Sequence, residues 1–339
     1  MKILVTGGLG FIGSHTVVEL VNAGYEPVIV DDLSNSDPKI LDQIARIIGY
    51  KPVFHKLDLS DEQSVKELAV NEPDIDGIIH FAAFKAVGES VQKPLKYYRN
   101  NFYSLINLLE AYYGKPLNFV FSSSCTVYGQ PDILPVTENA PVKPAESPYG
   151  NTKQIAEEIL TDMVASGSNY KVISLRYFNP VGAHETALIG ELPIGVPQNL
   201  VPFITQTAIG KREKLTVFGN DYDTADGSCV RDYIHVVDLA KAHVAALKLA
   251  EKESFTGYDV FNIGTGNGST VLEVIHAFER ATGVKLNYQI GPRRPGDVEK
   301  VWGDVTKSTN KLGWKAELGI DTMMLSAWEW EKYISQNPL

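Results

Sequence analysis

The chain has 339 residues, of which 44% are hydrophobic, and a formal net charge of −10. This length and hydrophobic content can bury a large core in one domain or two. The acidic balance argues against a nucleic-acid partner and against an anionic membrane surface, and we find no run of about 18 apolar residues that would span a bilayer. Cys125 and Cys229 have neither metal-ligand nor redox spacing, so we expect no metal and a reducing, cytoplasmic setting.

Short apolar runs alternate with helical patterns through the first half of the chain, which is typical of repeated β-α units. Strands are predicted near residues 3–6, 28–30, 53–56, 77–79, 119–122 and 172–175, and helices near 11–22, 61–70, 94–113 and 148–166. The pattern predicts an α/β fold with a doubly wound parallel sheet over residues 1–178.

After about Asn179 the alternation gives way to segments rich in Gly, Pro and Asn, such as 193–202 and 219–227. Strands are predicted here at 215–218 and 258–263, and helices at 236–250 and 271–281. We therefore expect a smaller, looped α/β lobe over residues 179–339 that covers a ligand. The boundary is approximate, since no linker separates the parts and the chain can cross between them more than once.

A glycine turn follows the first predicted strand and opens the first helix. Gly7, Gly10 and Gly13 fit G-x-x-G-x-x-G, and Gly8 allows the alternative G-x-G-x-x-G. The missing Cβ atoms let backbone N–H groups approach a pyrophosphate at the helix N-terminus. This context is the one that a Rossmann dinucleotide-binding fingerprint requires.

Two carboxylates close the second predicted strand, about 20 residues further on, where a ribose 2′-hydroxyl is expected to bind. Asp31 and Asp32 would repel the extra phosphate of NADP, and none of residues 33–36 is an arginine. The sequence therefore favours NAD. Asp58 and Leu59 after the third strand, and residues 81–83 after the fourth, line up for the adenine and its ribose, although plain β-α turns would look the same.

A serine, a tyrosine and a lysine form the candidate catalytic set. Ser124 ends a predicted buried strand at the carboxyl edge of the sheet, where ligands bind in doubly wound folds. Tyr149 and Lys153 are four apart on one helix face, so the ammonium is expected to lower the pKa of the phenol. The set suits hydride transfer with Tyr149 as the base. Taken singly, the same residues would be a polar turn and an ordinary surface helix.

Five longer segments carry a family resemblance over essentially the whole chain. They are residues 13–16 (GSHT), 85–90 (KAVGES), 126–129 (TVYG), 175–180 (LRYFNP) and 231–235 (RDYIH). With these segments the chain resembles the extended short-chain dehydrogenase/reductase family, and within it the nucleotide-sugar epimerases. The resemblance implies interconversion of UDP-galactose and UDP-glucose in galactose metabolism.

The resemblance also implies the binding residues. NAD contacts would fall on Gly7, Gly10, Phe11, Ile12, Gly13, Asp31, Asp32, Leu33, Ser34, Asn35, Ser36, Asp58, Leu59, Phe81, Ala82, Ala83, Phe84, Lys85, Asn100, Ser124, Tyr149, Lys153 and Phe178. UDP-sugar contacts would fall on Lys85, Ser124, Tyr149, Asn179, Asn199, Leu200, Phe218, Arg231, Arg294, Asp297 and Val301. In such enzymes, tightly bound NAD takes hydride from C4, the 4-keto sugar rotates, and the hydride returns to its other face.

Physical reasoning supports part of this set. Arg231 and Arg294 offer guanidinium groups for a diphosphate in an otherwise acidic protein. Each arginine alone would more often be a surface ion pair, and Arg231 could instead pair with Asp232. His235 is predicted to be a core or helix-start residue rather than a catalytic one.

The resemblance further suggests a homodimer built on helices of the cofactor lobe. The predicted helix 94–113 is a candidate, with apolar residues at helical spacing: Tyr97, Tyr98, Phe102, Leu105 and Leu109. The alternative is that these residues pack on the sheet of their own subunit.

Three departures from the family pattern bear on function. Phe11 replaces a common tyrosine, and Cys125 replaces a common alanine and is expected to be a packed thiol rather than a thiolate. Val301 stands where some epimerases have a bulky tyrosine and others a small residue. The smaller side chain suggests that UDP-N-acetylhexosamines are also accepted.

Other functions on the same scaffold remain open at this point. A nucleotide-sugar 4,6-dehydratase would carry an Asp-Glu pair directly after the active-site hydroxyl, where this chain has Cys125 and Thr126. A UDP-glucuronate decarboxylase or simple reductase fits the second half less well. A catalytically silent NAD sensor would have no chemical need for Ser124, Tyr149 and Lys153.

Overall fold

The computed structural model describes residues 1–294 and 297–339. The strands are β1 (Lys2–Thr6), β2 (Glu26–Asp31), β3 (Val53–Lys56), β4 (Gly77–His80), β5 (Leu117–Ser124), β6 (Tyr170–Tyr177), β7 (Asn179–Val181), β8 (Leu215–Phe218), β9 (Val230–Arg231), β10 (Tyr233–His235), β11 (Tyr258–Ile263), β12 (Ser269–Thr270), β13 (Tyr288–Gly291) and β14 (Lys300–Val301). The α-helices are α1 (Phe11–Asn22), α2 (Lys39–Ile48), α3 (Glu62–Asn71), α4 (Val87–Gln92), α5 (Pro94–Ala111), α6 (Pro148–Ala165), α7 (Leu200–Ala208), α8 (Val236–Glu251), α9 (Val271–Thr282) and α10 (Ile320–Gln336). A 3₁₀ turn spans Cys125–Tyr128, and a π-helical turn spans Ser308–Leu312.

A seven-stranded parallel sheet forms the centre of the fold, in the order β11-β6-β5-β4-β1-β2-β3. Successive residues of its strands face opposite sides, so Ile3 and Val5 enter one buried cluster and Leu4 enters the other. Helices α1, α2 and α8 cover the first cluster, and α3, α5 and α6 cover the second. The predicted doubly wound parallel sheet is therefore confirmed.

The edge strand β11 shows how the chain passes between the two parts. The sequence pattern places residues 258–263 in the smaller lobe, but β11 pairs with β6 of the large sheet. Helix α8 also packs against α1. The apolar run of β11 predicts a strand but does not identify its neighbour, because pairing partners come from distant parts of the chain.

The smaller lobe contains α7, α9 and α10 around a third core cluster, which includes Ile204, Phe278 and Met324. Its strands form three small sheets, with β10 beside β7, β9 between β12 and β14, and β13 beside β8. Helix α7 lies partly within the segment 193–202 that was expected to be irregular. Pro202 is compatible with it because the first helical turn needs no N–H from that residue. Within the described residues, no helix is long and apolar enough to cross a membrane.

Candidate active site

The glycine turn between β1 and α1 has no room for side chains. A Cβ at Gly13 would lie 2.2 Å from the Gly7 carbonyl oxygen, and one at Gly7 would lie 3.0 Å from the Ala82 nitrogen. Gly7 also has a φ of +67°. No side chain of the described chain caps α1 at Gly10, and its first turn holds no acidic residue. The amide groups of this turn therefore form a cradle that suits the pyrophosphate of a dinucleotide.

Asp31 connects the end of β2 to the glycine turn through hydrogen bonds. Its carboxylate accepts hydrogen bonds from the Leu9 amide at 3.1 Å, the Leu33 amide at 3.0 Å and the Ser36 hydroxyl at 2.6 Å. Burial raises the pKa of the Asp31 carboxyl against these three donors. The exposed Asp32 instead accepts from the amide and hydroxyl of Ser34. Both aspartates lie beside the glycine turn, with Asn35 exposed between the two serines.

The other predicted cofactor residues lie on the turns after β3 and β4. The Asp58 carboxylate accepts from the Ser60 amide at 2.8 Å, and Asn107 of α5 donates to the carbonyl of the buried Leu59 at 2.9 Å. Four half-buried residues follow β4: Phe81, Ala82, Ala83 and Phe84. Lys85, which comes next, is exposed.

Asn101, which the sequence reasoning missed, fixes the segment after β4. Its side chain bonds both the amide and the carbonyl of Phe84 and donates to Thr152 of α6 at 3.0 Å. The predicted residue Asn100 lies beside it and donates to its side-chain oxygen at 3.1 Å. No spacing in the sequence marks Asn101, because its partners come from two separate elements.

Ser124, Tyr149 and Lys153 lie together where β5 meets α6. Ser147 caps α6 by accepting from the Gly150 amide at 3.1 Å, which places Tyr149 in the first helical turn. Ser124 lies close to the Tyr149 phenol, and the Lys153 ammonium donates to the Ser122 carbonyl at 2.6 Å. The Lys153 Nζ lies 6.0 Å from the centre of the Tyr149 ring. The strand end and the helix thus bring the predicted set together.

The expected effect of Lys153 on Tyr149 is not present in the protein alone. Burial raises the pKa of Tyr149 well above its usual value, although the hydrogen bond from Ser124 favours the phenolate. Burial also lowers the pKa of the Lys153 ammonium to about 7, against the attraction of Glu157. Burial is the largest cause of both shifts, and the Lys153 ammonium donates to the Ser122 carbonyl rather than to the phenol oxygen.

Arg231 pairs with Asp297 and not with its neighbour Asp232. The Arg231 Nη2 lies 3.8 Å from the Asp297 Oδ1, and Arg294 binds both oxygens of the same carboxylate at 2.7 and 3.1 Å. Asp232 is fully buried and accepts from the amide and hydroxyl of Thr265. The Arg294 guanidinium also stands 5.7 Å from the ring centre of Phe218. Four predicted substrate residues, Phe218, Arg231, Arg294 and Asp297, therefore form one cluster.

Val301 lies next to this cluster, because it pairs with Arg231 across β14 and β9. Its side chain is only 7% exposed and packs with Val127, Tyr128, Val136 and Phe178. Phe178 in turn closes over Gly303, where a Cβ would lie 2.5 Å from its ring. Val301 and Phe178 thus share one apolar wall between the two lobes.

The remaining predicted substrate residues lie on the second lobe. Asn179 begins β7 and donates its amide to the Asp232 carbonyl at 3.0 Å, and Asn199 precedes Leu200 at the start of α7. Glu191, which the sequence reasoning missed, accepts from the Asn199 side chain at 2.6 Å and lies 3.8 Å from the Lys85 Nζ. This one carboxylate connects the cofactor segment with the substrate lobe.

Two further expectations concern Cys125 and His235. Burial raises the pKa of the Cys125 thiol to about 12, so it is a packed thiol as predicted. His235 caps α8 by accepting from the Val237 amide at 3.1 Å and contacts Ser326, and burial lowers its pKa to about 4. It is the helix-start residue that the sequence predicts.

The whole chain is similar to known nucleotide-sugar enzymes. A family model described as GDP-mannose 4,6 dehydratase matches residues 4–326. A UDP-glucose 4-epimerase of Drosophila melanogaster is 49% identical over 343 residues, covering 99% of this chain and 97% of that protein. A UDP-glucose-4-epimerase from Stenotrophomonas maltophila, solved with bound NAD and formylated UDP-arabinopyranose, is 45% identical with a TM-score of 0.95 and 99% of each chain covered. One from Bifidobacterium longum, solved with NAD+ and UDP, is 45% identical with a TM-score of 0.93, covering 100% of this chain and 99% of that one.

Proposed function

Because this chain belongs to the UDP-glucose 4-epimerase family of extended short-chain dehydrogenases/reductases, we propose that it interconverts UDP-galactose and UDP-glucose with a retained NAD. The convergence of Ser124, Tyr149 and Lys153 at the end of β5 carries this proposal. The set and the glycine cradle lie at the same carboxyl edge of the parallel sheet, on β5 and β1 with β4 between them.

The described residues fit NAD at that edge. The glycine turn accommodates the pyrophosphate, and Asp31 and Asp32 suit ribose hydroxyls but not an added phosphate. Bound NAD supplies an oxidised, positively charged nicotinamide that takes up hydride from C4 of the hexose and gives it back. The Lys153 ammonium donates to the Ser122 carbonyl. This bond fixes α6, and Tyr149 with it, against the end of β5.

Tyr149 and Ser124 handle the proton of the hydroxyl on C4. Tyr149 takes it while C4 is oxidised, Ser124 shares the hydrogen bond, and Tyr149 returns the proton when C4 is reduced. Because burial alone raises the Tyr149 pKa, the phenolate depends on positive charge close by. The ammonium of Lys153 supplies one such charge.

The substrate is held through its diphosphate rather than through the hexose. Arg231 and Arg294 provide two guanidinium groups around Asp297, in a protein that is otherwise acidic. Phe218, 42% exposed beside Arg294, offers a flat apolar surface for the uracil. Anchoring at this end leaves the sugar free to present either face of C4 to the cofactor.

A direct test uses purified protein with UDP-galactose and no added NAD, with products resolved by chromatography. Formation of UDP-glucose supports epimerisation with a retained cofactor. The Tyr149→Phe variant serves as control and is expected to keep its NAD but lose turnover. Absence of product, even after NAD is supplied, would contradict the proposal.

The substrate range follows from Val301. A valine in the apolar wall takes less space than a tyrosine, which leaves room beside C2 of the sugar for an N-acetyl group. We expect epimerisation of UDP-N-acetylgalactosamine in addition to UDP-galactose. Val301→Tyr should remove the activity on UDP-N-acetylgalactosamine and retain the activity on UDP-galactose. A wild-type protein that does not epimerise UDP-N-acetylgalactosamine would refute this broader substrate range.

Dehydration is the second candidate, since the matching family model carries a dehydratase description. Elimination of water at C5 and C6 needs a proton donor and acceptor directly after the active-site hydroxyl. Here those positions hold Thr126 and Cys125, whose thiol stays protonated. We therefore expect no product that has lost water, which mass spectrometry of the same incubations would detect.

Assembly into a cytoplasmic homodimer is the last part of the proposal. On α5, Tyr97, Leu105 and Leu109 pack inside their own subunit, whereas Leu95 is 81% and Tyr103 is 51% exposed. These two residues provide an apolar face for a second copy. Light scattering should give twice the monomer mass, and Tyr103→Glu should shift the protein towards the monomer.

A further inference from the structure

Two successive residues at the end of β5 bond two residues of α6. The Ser122 carbonyl accepts from Lys153 at 2.6 Å, and the Ser123 hydroxyl donates to Glu157 at 2.5 Å. The two contacts fix the position of the helix along the strand, with Ser124 close to Tyr149. Because Tyr149, Lys153 and Glu157 are spaced four apart, they occupy one helix face.

Glu157 extends this contact to the neighbouring strand. Its two carboxylate oxygens accept from the Arg176 Nε at 3.0 Å and Nη2 at 2.5 Å, and Arg176 lies on β6. The two side chains are 10% and 7% exposed. The Arg176 guanidinium also lies over the Tyr128 ring, 4.8 Å from its centre. A buried pair of this kind adds little stability compared with apolar residues, so its value lies in the geometry that it imposes.

Glu157 also acts on the charge of Lys153, against the larger effect of burial. The titratable groups near Lys153 and Tyr149 come from several elements: His80 of β4, Tyr97 of α5, Cys125 of the 3₁₀ turn, Tyr177 of β6 and Glu157 itself. Burial keeps His80 neutral by lowering its pKa to about 3, and it keeps the thiol and the two phenols protonated. Among the described residues, Glu157 is therefore the anion that favours the protonated ammonium of Lys153.

We propose that Glu157 is a positioning residue for the reaction, which fixes α6 on β5 and β6 and keeps the Lys153 ammonium charged beside Tyr149. This inference rests on the proposed function for its catalytic consequence. Glu157 touches no substrate or cofactor, and it acts through Lys153 and through the register of the helix.

The first test is the pH dependence of kcat with UDP-galactose for Glu157→Gln. Loss of the carboxylate removes the attraction that favours the ammonium, so the alkaline limb of kcat should move to lower pH by about one unit. KM should change little. Glu157→Asp keeps the charge and should restore most of the wild-type profile, and Glu158→Gln, on an exposed position of the same helix, should match the wild type.

A folded Glu157→Gln variant with an unshifted alkaline limb would overturn the proposal. Removing one partner of a buried pair leaves an uncompensated charge and can prevent folding. In that event the double variant Glu157→Gln, Arg176→Met decides the question, because it leaves no unpaired charge. It should show a smaller shift in the same direction, because the unpaired Arg176 cation is also gone, and a wild-type profile would contradict the proposal.

A spectroscopic titration separates this inference from the epimerase assignment. Ultraviolet absorbance of the phenolate is followed with pH in the NAD-loaded protein, and the signal of the matching Tyr149→Phe protein is subtracted. Glu157→Gln should ionise Tyr149 at higher pH than the wild type does. This measurement needs no turnover, so an unchanged titration refutes the role of Glu157, whereas a shift without epimerisation refutes only the proposed function.

Discussion

At the scale of single residues, Gly13 shows how strictly backbone contact determines sequence in the cofactor turn. A Cβ there would meet two backbone groups, the Gly7 oxygen at 2.2 Å and the Gly8 Cα at 2.8 Å, and neither can move as a flexible side chain would. Gly88 in α4 has nothing within 4 Å of the point where a Cβ would lie. Gly88 is therefore a suitable control position for a substitution at Gly13.

We expect Gly13→Ala to destabilise the protein by about 1–3 kcal/mol through overpacking and to reduce the NAD that co-purifies with it. Gly88→Ala should keep its NAD and should be neutral or slightly stabilising, since alanine favours helix more than glycine does. Urea unfolding and cofactor content after denaturation measure both effects. Full NAD content in Gly13→Ala would disprove the role assigned to the turn.

At the scale of elements, α6 and α9 are both capped by a side-chain hydroxyl, but only α6 has a candidate catalytic residue in its first turn. The Ser147 hydroxyl accepts from the Gly150 amide at 3.1 Å at the start of α6, and the Thr270 hydroxyl accepts from the Glu273 amide at 3.0 Å at the start of α9. Helix α6 carries Tyr149 in its first turn, whereas α9 packs in the core of the smaller lobe.

Substitution of either cap by alanine should cost about 1 kcal/mol of stability. Only Ser147→Ala is expected to lower kcat as well, because fraying of the first turn of α6 displaces Tyr149 from Ser124. Thr270→Ala should lose stability without a change in kcat. Thermal unfolding and steady-state kinetics on both variants check this, and equal kcat values for the two would contradict it.

The candidate catalytic set could be predicted from sequence because much of its spacing is local. Tyr149 and Lys153 lie on one helix, and Ser124 lies at the end of an apolar strand. The partners of Arg231 and the place of β11 could not be predicted in this way, since they depend on contacts between distant segments. The same holds for Glu191 and for the pair of Glu157 with Arg176, whose partners lie on separate elements.

At the scale of the whole molecule, buried histidines link stability to pH. Burial lowers the pKa to about 3 for His15 and His80 and to about 4 for His235 and His243. In the unfolded chain a histidine titrates near 6.5. Below that pH the unfolded state binds more protons than the folded state does, so the free energy of unfolding falls on acidification.

Each such histidine contributes a slope of about 1.4 kcal/mol per pH unit between about pH 6 and its folded pKa. Buried carboxyls with raised pKa values, such as Asp232, act in the opposite direction at lower pH. To isolate one histidine, the free energy of unfolding of His243→Gln is compared with that of the wild type by urea unfolding at pH 7.5, 6 and 5. The variant should lose less stability on acidification, and parallel curves would refute this account.

The most direct test of the central claim follows the hydrogen on C4. Purified protein is given UDP-galactose carrying deuterium at C4, in ordinary water and without added NAD, and the UDP-glucose formed is examined by mass spectrometry and NMR. The account predicts that the deuterium is retained at C4, because it leaves and returns as hydride within one closed site. Exchange of that deuterium for solvent hydrogen would contradict the account and would indicate proton abstraction at carbon instead.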